Sequence, residues 1–109
     1  MLLNVTTTEL GRWHVVTAEG EIDISSAPTL DEVLRTAMAT GGDVAVDLRT
    51  VTFMDSSGLR SLLQARRGLE EAGQAFAVVC GPGPVRRVLD VAGVSDRLTI
   101  VESAEALEA

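Results

Sequence analysis

The pattern of apolar and polar positions separates strands from helices along most of the chain. Residues 2–10 and 13–18 are rich in β-branched side chains and flank Gly11-Arg12, which predicts a β-hairpin. Ser25-Ser26 then offers a helix N-cap, Pro28 fits a first helical turn, and Asp31-Glu32 lie near the positive helix end. Ala27, Leu30, Leu34, Ala37 and Met38 recur at helical spacing as one apolar face, which Gly41-Gly42 stops. Residues 44–48 predict a strand, and residues 49–54 a short loop leading into Asp55-Ser56-Ser57-Gly58. The following helix carries Leu59, Leu62, Leu63 and Leu69 on one side, with Arg60, Arg66, Arg67, Glu70 and Glu71 largely on the other.

Gly73 suits the C′ position of that helix. Residues 75–80 form a near-continuous apolar run, the pattern of a strand buried on both faces. Gly81-Pro82-Gly83-Pro84 breaks the run, and Pro84 opens a helix bearing Val85, Val88, Leu89 and Ala92. Gly93 followed by Val94 predicts a Schellman stop with its hydrophobic contact. Residues 98–101 read as a short strand, and Ser103 caps a brief last helix. The order is β-β-α-β-α-β-α-β-α. Alternating strands and helices imply right-handed parallel crossovers, so the expected fold is an α/β domain over residues 1–109, its mixed sheet begun by an antiparallel hairpin.

Composition narrows the function. Nine basic against sixteen acidic residues give a net charge of −7, which opposes nucleic-acid binding through a basic patch. The one cysteine excludes a disulfide framework and a Cys-cluster zinc site. No apolar run approaches the ~20 residues of a membrane span, and the first residues lack signal-peptide character, so a cytoplasmic protein is expected. No cofactor, metal site or catalytic group is expected. His14, the only histidine, and Cys80 are read as structural, and Ser56 lacks both the G-x-S-x-G elbow and a nearby base that hydrolysis would need. Pro82 and Pro84 lack the N–H donors a phosphate-binding loop requires, which leaves that run as a turn. Arg86-Arg87 open a helix and read either as a solvated face or as a partner contact; Glu102, Glu105 and Glu108 read as a solvated acidic tail.

The informative chemistry lies at Asp55-Ser56-Ser57-Gly58. Asp, Ser and Gly are what any helix start prefers, so these residues read as a cap. Local physics favours that reading; a regulatory site is the other, because a phosphate is electrostatically favoured at a helix N-terminus and rewrites the local charge. Gly58, lacking a Cβ, permits close approach by another backbone.

The wider sequence bears on that choice. Gly20-Glu21-Ile22-Asp23 with Ala27 and Leu30, then Val46-Asp47-Leu48, then Thr52-Phe53-Met54-Asp55-Ser56-Ser57-Gly58-Leu59, resembles the anti-sigma factor antagonists, which are STAS domains. Residues 85–94 look like the third helix of that family and its stop. The resemblance implies a non-enzymatic partner switch. In that family the unphosphorylated antagonist captures an anti-sigma factor that is also an ATP-dependent serine kinase, and the sigma factor is freed. It implies phosphorylation at Ser56, reversal by a PP2C-type phosphatase, and a neighbouring unmodified Ser57. Asp55 would be a cap and local anion, Glu21 and Asp23 a docking rim on the same edge, Gly58 part of the partner-binding motif, and Met54 and Leu59 apolar partner contacts. The chain is expected to be a monomer without membrane or direct nucleic-acid partners. The alternative is a STAS subunit of a larger signalling or lipid-transport assembly without sigma-factor regulation.

Overall fold

The computed structural model describes residues 2–108. Strands β1 (Leu3–Leu10) and β2 (Trp13–Ile22) form the hairpin, closed by Gly11 at a positive φ of 59°. Helix α1 (Ala27–Ala39), strand β3 (Asp43–Met54), helix α2 (Ser56–Glu71), strand β4 (Phe76–Val79), helix α3 (Pro84–Val91) and strand β5 (Thr99–Val101) follow. The sheet order is β1-β2-β3-β4-β5, antiparallel in the first pair and parallel in the rest. This is the mixed α/β sheet expected from the sequence. Short 3₁₀ turns occupy Ser95–Arg97 and Glu105–Glu108, the second where a brief last helix was expected.

The helices end as their residues dictate. After α2, Gly73 and Gln74 donate to Glu70 and Leu69; after α3, Gly93 and Val94 donate to Asp90 and Leu89. Both are Schellman arrangements, and both glycines carry a φ of 73°, which costs a side-chain-bearing residue strain.

The sheet has two differently covered faces. Val16, Ile22, Leu30, Leu34, Val46, Leu62, Leu69, Val78 and Leu89 fill the main core between helices and sheet. Alternation along the strands sends Trp13, Val15, Ala45 and Ala77 into a second, smaller cluster with Leu107. The last residues therefore form a strap across the otherwise helix-free face. Trp13 is buried there, its Nε1–H donating to the Leu107 carbonyl at 3.2 Å and its ring lying 5.2 Å from the Arg12 guanidinium. Glu102, Glu105 and Glu108 stay exposed, as expected of an acidic tail.

Strand β3 departs from the sequence expectation. Residues 49–54 are not a loop; they continue the strand to Met54. The register shifts twice against β2, between Thr17 and Glu19 and between Gly20 and Glu21, each time by one extra residue of β3. These bulges break the period of two and leave Leu48, Val51 and Met54 buried at every third position. Thr50 and Thr52 complete the disturbed ladder, their hydroxyls donating to the carbonyls of Ala18 and Gly20 at 3.1 and 3.3 Å. Buried Asp47 accepts from the backbone N–H, Nε and Nη2 of Arg49, at 3.1, 3.0 and 2.7 Å. Asp47 and the nearby Glu105 hold the guanidinium firmly charged.

The strap is testable through Trp13, the chain's sole tryptophan. Leu107→Asp removes an apolar contact and places a carboxylate beside the indole, so Trp13 emission should shift to longer wavelength. Urea unfolding should show a loss of roughly 1–2 kcal/mol, the scale of one partly buried leucine. Unchanged emission would show that the strap does not cover Trp13 in solution.

Candidate functional site

The site is built where β2 and β3 end side by side. Ile22 pairs with Met54, and the Asp55 N–H donates to the Ile22 carbonyl at 3.2 Å, which joins the β2–α1 turn to the start of α2. Asp55 is the N-cap: it has extended geometry, and its Oδ1 accepts from the Ser57 N–H at 2.8 Å. Capping therefore holds for this residue, as the sequence allowed.

Ser56 and Ser57 differ in setting. Ser56, the first helical residue, is exposed, and among the described residues its hydroxyl makes no hydrogen bond. Ser57 is half-buried, with its N–H held by Asp55 and its carbonyl accepting from the buried Ser61 hydroxyl at 3.2 Å. The Ser56 hydroxyl is thus the more accessible of the two.

Gly58 does not wait for an outside backbone. A Cβ built there would lie 2.5 Å from Met54 Cγ and 2.8 Å from Ile22 Cγ2. Its missing side chain lets α2 seat on the strand ends. Met54, expected as an apolar partner contact, is likewise turned inward and only 3% exposed, because the bulged β3 directs it into the core. Leu59, half-buried, remains available at the surface.

The apolar surface comes instead from residues the sequence reading passed over. Ile24 is 81% exposed in the turn after β2, and Phe53 is 46% exposed on β3, where it pairs with Glu21. Their signal was present, since isoleucine is out of place in the polar turn Asp23-Ile24-Ser25. For Phe53 the direction of the side chain depends on the bulge. Along α2, a groove of about 360 Å³ is lined by Ser56, Leu59, Arg60, Leu63, Gln64 and Arg67, so Arg60 also belongs to the neighbourhood of Ser56.

Two carboxylates stand near the end of β2. Glu21 and Asp23 are half-exposed at the end of β2. Asp23 organises the turn: Oδ1 accepts from the Ser25 hydroxyl at 2.7 Å and from the N–H groups of Ser25 and Ser26 at 2.9 and 3.0 Å. The Ser25 hydroxyl, followed by the Ser26 backbone, holds the Asp23 carboxyl below the usual carboxylate range. Ser26 occupies the N-cap position of α1 without a side-chain cap bond, correcting the expected Ser25-Ser26 cap. Its hydroxyl is drawn instead to the Glu21 carbonyl at 2.9 Å and accepts from the Asp23 N–H.

Elsewhere, His14 Nε2 lies 2.9 Å from the Gly41 carbonyl and 3.2 Å from Thr40 Oγ1, at the end of α1 and outside the Ser56 neighbourhood. Cys80 is a buried thiol whose pKa desolvation pushes up. Arg86 pairs with Asp90 at 3.1 Å, and Arg87 is exposed. Among the described residues no group of His, Cys, Asp and Glu side chains forms a metal site, and no helix is long and apolar enough to cross a membrane.

Comparison with known proteins places this geometry. The STAS domain family model matches residues 4–107. An anti-sigma-B factor antagonist of Staphylococcus aureus is 30% identical over 96% of this chain and 98% of its own length. This chain belongs to the anti-sigma factor antagonist family of STAS domains. That family consists of non-enzymatic regulatory proteins, and the resemblance of the sequence segments is borne out. Its fold is shared with an anti-sigma factor antagonist from Mycobacterium paratuberculosis, with a TM-score of 0.90 at 24% identity over 96% of this chain and 90% of the other. The Bacillus cell fate determinant SpoIIAA, solved in a phosphorylated form, matches with a TM-score of 0.72 at 23% identity over 96% and 97%.

Two outcomes follow from the seating of α2 and from the Asp23 turn. Gly58→Ala gains helix propensity but forces buried Ile22 and Met54 apart, so it should destabilise the fold by about 1–3 kcal/mol in urea unfolding. A neutral or stabilising result would mean that the contact yields freely. Asp23, with its pKa depressed, adds stability above its unfolded value that is lost as pH falls through the lower folded value. The Ser25 and Ser26 amide resonances should accordingly titrate below about pH 4. Titration at or above that point would show that the bonds do not persist in solution.

Proposed function

We propose that this chain is a phosphorylation-controlled partner switch whose unphosphorylated form binds an anti-sigma factor that is also a serine kinase, releasing the sigma factor. The observation that carries the reading is Ser56: an exposed, unbonded hydroxyl at the first position of a capped helix, with Leu59 in the same groove and exposed Ile24 and Phe53 on the turn and strand that lead to it. It stands in a chain 30% identical to an anti-sigma-B factor antagonist. The kinase transfers the γ-phosphoryl group of ATP to Ser56 Oγ, the hydroxyl proton leaves, and ADP is released. A PP2C-type phosphatase hydrolyses the ester and restores the binding form. The protein acts in the cytoplasm as a monomer.

The physical basis is desolvation and like charge. Docking covers the apolar rim and removes water from around Ser56. A phosphate adds about −1.5 to −2 charges beside Asp55, with Asp23 and Glu21 on the adjoining edge. Burying that charge without a partner costs a few kcal/mol, which at ~1.4 kcal/mol per tenfold lowers affinity about 10²- to 10³-fold. No large conformational change is required, because the serine already stands at the surface.

Calorimetry with the anti-sigma factor kinase tests the reading. Ser56→Ala should bind as wild type does and accept no phosphate, and Ser56→Asp should bind at least about tenfold more weakly. Equal binding by wild type and Ser56→Asp would overturn the charge mechanism. Transfer of phosphate to Ser56→Ala would overturn the site.

A further inference from the structure

The helical arginines are not equivalent. Arg66, Arg67 and Arg86 each have a carboxylate four residues ahead, and each makes the ion pair: Glu70 at 3.2 Å, Glu71 at 4.0 Å and Asp90 at 3.1 Å. Arg60 has Gln64 in that place and Ser56 four residues behind. Among the described residues it takes part in no salt bridge, and it is exposed. Ser56 and Arg60 line the same groove, one turn apart on one face of α2.

We infer that Arg60 is the internal counter-ion of the Ser56 phosphate, closing over it across one helical turn. This deepens the reading of Ser56 as the modified residue and rests on it. Residues four apart on a helix are neighbours, and an anion N-terminal to a cation is the better order of such a pair. Phosphoserine at 56 and Arg60 have that order. A guanidinium offers a planar fork of N–H donors that fits phosphate oxygens two at a time. No carboxylate on α2 three or four residues from Arg60 competes for it. The groove floor of Leu59 and Leu63 gives the arginine stem an apolar surface to lie on while its head reaches back toward Ser56.

The consequence for the switch is specific. In the unphosphorylated form Arg60 is a free cation on an acidic protein, one turn from the serine and open to an acidic group of the partner. Phosphorylation adds negative charge at Ser56 and at the same time ties up this cation. One modification therefore changes two charges of the docking surface. Arg67, two turns further along and already paired with Glu71, is left as it was.

The full-length chain carrying phosphoserine at 56, inserted during translation so that no kinase is needed, permits a direct test by ³¹P NMR. A nearby cation favours the phosphate dianion and lowers its second pKa. The second pKa should be about 0.2–0.4 units lower in the Arg60 protein than in Arg60→Gln, the size of an i,i+4 ion pair. Arg60→Lys should recover part of the difference, and Arg67→Gln should leave the value unchanged. Asp55, Asp23 and Glu21 act on the phosphate alike in all four proteins, so the differences isolate the arginine. Equal values for wild type and Arg60→Gln, or an equal shift in Arg67→Gln, would overturn the inference. Failure of the kinase to modify Ser56 would overturn the proposed function and leave this result standing.

Discussion

Helix α2 approaches the ends of β2 and β3 so closely at Gly58 that Ile22 and Met54 fill the volume a Cβ would take. The rest of the site depends on this contact. It fixes how the helix enters the sheet, and the Asp55 N–H bond to the Ile22 carbonyl fixes the residue before the helix. Ser56 is then the first residue free of both constraints. A stiff β-branched side chain and a buried thioether hold the helix in place, and a hydroxyl is left in solvent beside them. Under the proposed switch, this rigidity lets a phosphate on Ser56 act on the partner without being absorbed by movement of the helix.

Charges around the site are divided between structural and free roles. Asp55 is engaged by the Ser57 N–H, and Asp23 by the Ser25 hydroxyl and two backbone N–H groups. Each carboxylate organises a chain reversal, and each also contributes negative charge to the edge on which Ser56 stands. Ile24 and Phe53 add exposed apolar surface near these charges. On the opposite face of the sheet the strap to Leu107 shields Trp13, so the small apolar cluster there is closed by the chain itself.

Much of this was legible residue by residue. The helix stops at Gly73 and Gly93, the turn at Gly11 and the cap at Asp55 follow from interactions within a few residues, and such interactions are written in local sequence. The end of β3 was not legible, because its two bulges exist only relative to β2. Arg49-Thr50 and Thr52-Phe53 break the alternation that marks a strand, and the threonine hydroxyls that repair the ladder bond carbonyls 32 residues away. Ser26 was misplaced as a cap for a similar reason: the Glu21 carbonyl takes its hydroxyl.

By itself the sequence determined the order of strands and helices, the capped helix start at Asp55 and Ser56, and the family to which they point. Each rests on short-range geometry or on residue type. The tertiary structure alone decided that Met54 turns inward while Phe53 and Ile24 turn out, that Gly58 serves an internal contact, and that Arg60 faces the groove beside Ser56. Which side of a strand a residue occupies depends on its register against a distant neighbour. A bulge of one residue reverses it, and nothing local records the bulge.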